Sequence, residues 1–130
     1  MKPITLQLNG NRSAFRPGER IDGIVSWNLD ASLPAIEVRL FWYTRGKGTD
    51  NVEIVRTELF DNPRPSDQRA FSFELPEGPY SFSGTLISLI WGIEALWEGS
   101  ADATRLEFVL SPTQQEVILG TAETEADASA

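Results

Sequence analysis

The carboxylates are the side chains of this 130-residue chain best suited to chemistry, because it contains no histidine and no cysteine. Glu94 with Glu98, or Asp61 with Asp67, could form the acid–base couple of a hydrolase or supply calcium ligands. Neither pair has the dense Asp, Asn and Gly spacing of a calcium loop, and such pairs are usually solvated surface charges. We therefore expect no catalytic residue, no metal site and no cofactor. The chain is predicted not to be an enzyme, with a carboxylate-only hydrolase as the enzymatic alternative.

Four tryptophans could stack on sugar rings, which makes a carbohydrate-binding module the alternative among binding functions. The four are Trp27, Trp42, Trp91 and Trp97. All four fall on the apolar faces of predicted strands, so we expect them to pack in the core. A carbohydrate-binding β-sandwich would instead expose two or more of these rings.

The net charge of −8 argues against nucleic acid and anionic membranes as partners. Residues 1–69 contain 10 basic and 9 acidic side chains, whereas residues 70–130 contain 1 basic and 10 acidic side chains. We interpret the acidic half as a solubility feature that ends in an acidic tail. The longest apolar region, Leu86 to Trp97, is interrupted by polar residues and glycine. The sequence predicts a cytoplasmic chain with no signal peptide and no integral membrane segment.

Short alternating segments separated by turn residues predict an all-β fold, a two-sheet antiparallel β-sandwich of immunoglobulin-like architecture. Pro17-Gly18 fits a type II turn, which needs a positive φ at its third residue. We place the domain at residues 1–112 and an acidic C-terminal tail at 113–130. Val117 to Leu119 can add one short strand, and 121–130 is expected to be disordered. The strands are predicted at 2–8, 20–29, 33–43, 52–60, 71–75, 81–97 and 104–110.

The order of several motifs resembles one lobe of the arrestin family. The first is an aromatic-x-PGE-x-hydrophobic-x-G-x-V opening, and the second is a proline-ended strand. A Ser-x-x-Gly turn follows, and it leads into a strand patterned hydrophobic-x-aromatic-x-hydrophobic-x-Ala. In this chain they are Phe15-x-Pro17-Gly18-Glu19-x-Ile21-x-Gly23-x-Val25, Phe71-x-Phe73-x-Leu75-Pro76, Ser81-x-x-Gly84 and Leu89-x-Trp91-x-Ile93-x-Ala95.

The resemblance implies a non-catalytic, arrestin-like adaptor or regulatory scaffold, similar to the small arrestin-like proteins of bacteria. Arrestins have two lobes and this chain has one. The resemblance therefore does not extend to an inter-lobe receptor cradle or a phosphate-sensing core. What it implies is a protein-binding module.

Apolar residues on the polar face of a strand are the candidates for partner binding. Phe41 and Tyr43 oppose the core row of their strand, and Leu86 and Ile90 oppose the row of theirs. Such residues can form an outer-face patch that docks another protein or a second copy of the chain. Docking through this patch or through an open sheet edge is the predicted mechanism, and a weak homodimer is one expected outcome.

Overall fold

The computed structural model of the chain describes residues 4–28, 35–46, 51–84, 86–97 and 103–119. These ranges contain ten β-strands and one short 3₁₀ turn, Asn9–Asn11. The strands are β1 Ile4–Leu8, β2 Ala14–Phe15, β3 Arg20–Asn28, β4 Ala35–Gly46, β5 Val52–Asp61, β6 Ser66–Glu74, β7 Phe82–Gly84, β8 Ile87–Trp97, β9 Thr104–Leu110 and β10 Val117–Leu119. No helix in these ranges is long and apolar enough to cross a membrane.

The strands form two sheets, which confirms the predicted β-sandwich. The smaller sheet has three antiparallel strands in the order β1-β3-β6. The larger sheet has seven strands, in which β5, β4 and β8 are consecutive antiparallel neighbours. The far side of β8 is shared by β7 and β9, and the short strands β10 and β2 add to these in parallel. The two parallel pairings are the departure from a purely antiparallel sandwich.

The core lies between the two sheets and is built from the rows that alternation predicts. On β8 the core row holds Leu89, Trp91, Ile93 and Ala95, all buried. The Trp91 indole N–H donates to the carbonyl of Pro79 at 2.7 Å, which satisfies the one polar group of that buried ring. These residues stabilise the fold and leave the opposite faces of the strands free for other roles.

The turn at Pro17-Gly18 has the predicted conformation. Gly18 has a φ of +82°, and the Glu19 amide donates to the Arg16 carbonyl at 3.2 Å, which closes a type II turn. The Gly18 amide also donates to Leu75 at 3.1 Å, and this bond ties the turn to the chain just beyond β6. A hydrogen bond from Arg12 and one from the Arg16 amide lower the pKa of the Glu19 carboxyl below its usual value.

The segment from Ser81 to Trp97 is extended, as predicted, but it forms a hairpin of β7 and β8 instead of one long strand. Ser81 fixes the start of this hairpin against the end of β9. Its amide donates to the Leu110 carbonyl at 2.8 Å, and its hydroxyl accepts from the Leu110 amide at 2.9 Å. The Ser-x-x-Gly segment, predicted as a turn, is itself mostly strand, because Phe82–Gly84 forms β7, and the chain reverses between β7 and β8.

The last described strand, β10, is the short strand predicted at Val117 to Leu119. It pairs in parallel with β7, so the larger sheet extends past residue 112. The predicted disorder of 121–130 lies outside the described residues.

Candidate functional site

The outer face of the larger sheet, the face turned away from the core, contains the predicted partner-binding residues of β4 and β8. Ile36, Val38 and Leu40 of β4 point into the core. Phe41 and Tyr43 extend the opposite row, as alternation requires, and Tyr43 lies directly beside Ile90 of β8. The structure therefore brings three of the four predicted residues to one face.

Phe41 lies on this outer face but is only 1% exposed. It sits over Gly92, where an added Cβ would come within 2.9 Å of the Phe41 ring. The Tyr43 ring stacks beside it at 6.0 Å between centroids, and the Arg105 guanidinium lies 5.3 Å above it. The expectation that Phe41 offers a free apolar surface is corrected by this geometry, because glycine makes room below the ring and two side chains cover it.

Tyr43 is half-buried and holds its hydroxyl in a polar network. The hydroxyl donates to Glu107 Oε2 at 2.6 Å and accepts from Arg45 Nη2 at 2.6 Å. Burial, followed by the hydrogen bond to Glu107 and its negative charge, raises the pKa of the Tyr43 phenol above its usual value. Tyr43 therefore contributes a ring edge to the surface while its polar end is already occupied.

Ile90 and Leu86 differ in position from each other. Ile90 is half-buried in the middle of the sheet, next to Tyr43. Leu86 precedes β8, in the connection after β7, and is 66% exposed. Leu86 therefore lies just outside β8, which begins one residue later.

Glu94 is buried, although the sequence analysis treated it as a solvated charge. It lies on β8, with Arg39 of β4 and Arg105 of β9 as its register partners. Its Oε2 accepts from Arg39 at 3.4 Å and its Oε1 from Arg105 at 3.0 Å, while Arg39 also binds Glu37 at 3.2 Å. The central strand receives an arginine from each side, so the carboxylate is compensated where it is desolvated.

This arrangement gives the hydrolase alternative no support. Glu94 is the one buried carboxylate among the described residues, and both of its oxygens face arginines. Glu98, its suggested partner, lies outside the described residues. Asp67 is paired with Arg69 at 3.3 Å, and the Gln68 amide, Arg69 and Arg64 lower the pKa of the Asp67 carboxyl. The described part of the chain contains no group of three potential metal ligands.

Three exposed apolar residues of β5, which sequence analysis did not single out, form the most open apolar surface of the larger sheet. Val52 is 63% exposed, Ile54 44% and Leu59 52%. Their register partners on β4 are Tyr43, Phe41 and Glu37, all outer-face residues, so the three share that face. We call Val52, Ile54 and Leu59 the edge patch. Among the described strands, β5 pairs only with β4, so its other edge is open.

A β-bulge explains why alternation did not find the edge patch. Leu40 pairs with Arg56 and the next residue, Phe41, pairs with Ile54, which leaves Val55 as an extra residue in β5. Val52 and Leu59 are an odd number of positions apart, so strict alternation places them on opposite faces. The extra residue reverses the inward and outward alternation of β5 once, so the side chains of Val52 and Leu59 both point to the outer face. The available signal was the break in polar alternation at Ile54-Val55.

The tryptophans do not form a platform for sugar rings. Trp27 and Trp91 are buried, and Trp42 and Trp97 are partly buried and packed against the core. The Trp27 indole N–H donates to the Arg64 carbonyl at 2.6 Å. All four therefore belong to the core, as the sequence predicted, and the carbohydrate-binding alternative gains no exposed ring.

An open groove lies where β7 and β9 separate along β8. Ser83 and Ser88 line one part of it and Arg45 and Glu107 another. Arg45 already binds the Tyr43 hydroxyl, and Glu107 accepts from the same hydroxyl, so these polar groups satisfy one another. Glu116 is the remaining charged side chain that lines the groove.

No family model matches the chain, and no curated protein matches it either. Among solved structures, the chain is similar to Spo0M, a sporulation control protein from Bacillus subtilis, with a TM-score of 0.57 and 16% sequence identity. The match covers 83% of this chain and 48% of the Spo0M chain, so the chain spans about half the length of that protein. At this identity the likeness shows the fold alone, an arrestin-like β-sandwich.

Proposed function

We propose that this domain is a non-catalytic protein-interaction module, an arrestin-like adaptor or regulatory scaffold, which docks its partner at the edge patch and the open edge of β5. The observation that carries the proposal is the edge patch itself, three large apolar side chains exposed on a strand whose second edge has no partner among the described strands. The regulatory part of the proposal is supported by the similar fold of a sporulation control protein. A cytoplasmic location belongs to the same proposal.

The edge strand supplies two kinds of binding energy at once. A partner segment added beside β5 would form main-chain hydrogen bonds with its free amides and carbonyls, the mode known as β-augmentation. It would also cover the edge patch, at about 25 cal/mol per Å² of apolar surface removed from water. Both contributions offset the several kcal/mol that association costs in lost translational and rotational freedom. The apolar patch and the open edge are therefore needed together.

The charges of the outer face do not select a strongly charged partner. Arg39, Arg45 and Arg105 lie within 4.0 Å of an acidic side chain, with Glu37, Glu94 and Glu107 as their partners. Because these charges are paired within the domain, the net charge of −8 resides elsewhere in the chain. We therefore expect the outer face to contribute to recognition through apolar contact and not through charge.

The test compares Ile54→Arg with Ile24→Arg. Ile54 belongs to the edge patch, whereas Ile24 lies on β3 of the smaller sheet and is 36% exposed, so each variant adds the same charge at an exposed isoleucine. Wild type and both variants would be used to capture proteins from native lysate, followed by mass spectrometry. We expect a set of proteins captured by wild type and Ile24→Arg and lost with Ile54→Arg. Equal capture by all three would remove the edge patch as the docking site.

A further inference from the structure

The open edge of β5 carries opposite charges on either side of one residue. Arg56 and Glu58 flank Thr57, and their register partners on β4 are Leu40 and Val38, so both point to the inner side of the sheet. Arg56 is exposed and Glu58 half-buried. Neither forms an ion pair with another residue that the structure describes. The edge thus presents one positive and one negative group, symmetric about Thr57.

We infer that the occupant of this edge is a second copy of the chain, paired antiparallel through β5 with a twofold axis at Thr57. The inference rests on the proposed function, since it names the partner of the same surface. In this register Arg56 of one copy lies opposite Glu58 of the other, and the symmetry repeats the pair. A strand with two equal charges at these positions would repel its copy, whereas this one attracts it.

The same register aligns the edge patches of the two copies. Because Val55 is an extra residue, Leu59 of one copy comes opposite Ile54 of the other on the outer face. The two edge patches then form one apolar stripe across the twofold axis. Farther out, Glu53 lies opposite Phe60 and Val52 opposite Asp61, so no like charges face each other.

The open edge at β6 also has opposite charges, Asp67 and Arg69 on either side of Gln68, but these two side chains pair with each other at 3.3 Å. β6 forms one edge of the smaller sheet, and its exposed middle residues are Gln68, Arg69 and Ala70, without a large apolar side chain. On the opposite edge, the Ile4 carbonyl of β1 accepts from the Thr104 hydroxyl at 2.8 Å. Charged residues on an edge normally discourage pairing. On β5, the opposite charges on either side of Thr57 instead favour antiparallel pairing with a second copy of the strand.

A single pair of edge strands forms a small interface compared with the roughly 1,200–2,000 Å² of a standard stable complex. We therefore expect micromolar and not nanomolar dissociation. The dimer should be visible by sedimentation velocity over a concentration series from micromolar to millimolar.

Charge reversal at the edge tests the register. Arg56→Glu places two glutamates opposite each other at each pair, and Glu58→Arg places two arginines there. We expect either single change to raise the dimer dissociation constant by about tenfold or more, and the double variant to return within about threefold of wild type. An equimolar mixture of Arg56→Glu and Glu58→Arg should form a heterodimer in native mass spectrometry while neither forms a homodimer.

Arg20→Glu is the matched control for net charge. Arg20 is an exposed residue of the smaller sheet, 4.0 Å from Glu74, and its reversal changes the net charge by the same amount as Arg56→Glu. Dimerisation should be unaffected by Arg20→Glu, and circular dichroism should show all variants folded. Equal weakening by the two changes, or a wild type that stays monomeric, would overturn the inference. A monomer whose partner capture still depends on Ile54 would leave the proposed function intact.

Discussion

Two neighbouring regions of the outer face of the larger sheet differ in how exposed their apolar residues are. On the central strands Phe41 is 1% exposed, whereas Ile54, its register partner on β5, is 44% exposed. Phe41 has Gly92 beneath it and Arg105 above it, both from strands on its far side. Ile54 has no strand on its far side among the described residues. The outer face of β4 is thus closed by residues of the strands beyond it, and β5, which has no strand beyond it among the described residues, remains open for a partner.

The most direct test of this difference is to truncate Phe41 and Ile54 in separate variants. We expect Phe41→Ala to destabilise the domain by about 3 kcal/mol, because it empties a buried aromatic site. Ile54→Ala should cost less, about 1 kcal/mol, because Ile54 is already 44% exposed. Urea denaturation of both variants measures this. Similar losses for the two would show that the edge patch is structural.

Gly92 leaves room for the buried Phe41 ring, and a substitution can test this role. Gly92→Ala adds a methyl group 2.9 Å from the Phe41 ring and 3.1 Å from the Leu106 carbonyl, so we expect a loss of about 1–3 kcal/mol from overpacking. In a Phe41→Ala background the ring contact disappears, and the added methyl should be better tolerated. A double-mutant cycle by denaturation measures this coupling. Additive losses would mean that glycine is required by the backbone alone.

The pairing of Glu94 with two arginines is the second feature by which side chains are buried on the central strands. Glu94→Gln removes the carboxylate that Arg39 and Arg105 share and leaves the partly buried Arg39 with Glu37 alone. We expect a loss of about 1–2 kcal/mol, limited because both arginines retain access to water. Glu53→Gln on β5 is the control and should change stability by less than about 0.5 kcal/mol, because Glu53 is exposed. If thermal unfolding showed no difference between the two, burial of Glu94 would contribute nothing measurable.

The smallest expected effect concerns the alkaline titration of Tyr43. Its pKa is raised in the folded state by burial and by Glu107, so the stability it contributes is present below the unfolded pKa and lost as pH rises through the folded pKa. In a Tyr80→Phe variant Tyr43 is the single tyrosine, and phenolate absorbance follows it alone. We expect a midpoint above the usual value of 10.0 that falls when Glu107 is changed to Gln. An unchanged midpoint would contradict the role of Glu107.

Much of the fold could be predicted from local patterns. Pro17-Gly18 specifies its turn because few residue pairs provide the required φ values, and Gly18 has the expected positive φ. The core row of β8 follows from a two-residue period that the strand keeps from Leu89 to Ala95. The hairpin of β7 and β8 was read as one strand, because extended residues on both sides of a turn have the same local pattern.

The candidate site was harder to predict, since its members are defined by strands that are distant in sequence. Phe41 was placed on the correct face, but its cover comes from Gly92 and Arg105, which no local pattern connects to it. The edge patch was missed because one extra residue, Val55, shifts the phase of β5. A bulge of this kind is defined by how β5 pairs with β4, and that pairing exists only in the tertiary structure.

Residue pattern alone predicted most of the strands, the core row of β8, the turn at Pro17-Gly18 and the absence of histidine and cysteine chemistry. These features depend on residue type and on neighbours within a few positions, where steric preference and alternation act. Only the tertiary structure decided that Phe41 is covered, that Glu94 is buried between two arginines, and that the edge patch is exposed. Exposure of a side chain on a sheet is set by its cross-strand neighbours, and their identity is fixed by register and strand order, which no local pattern contains.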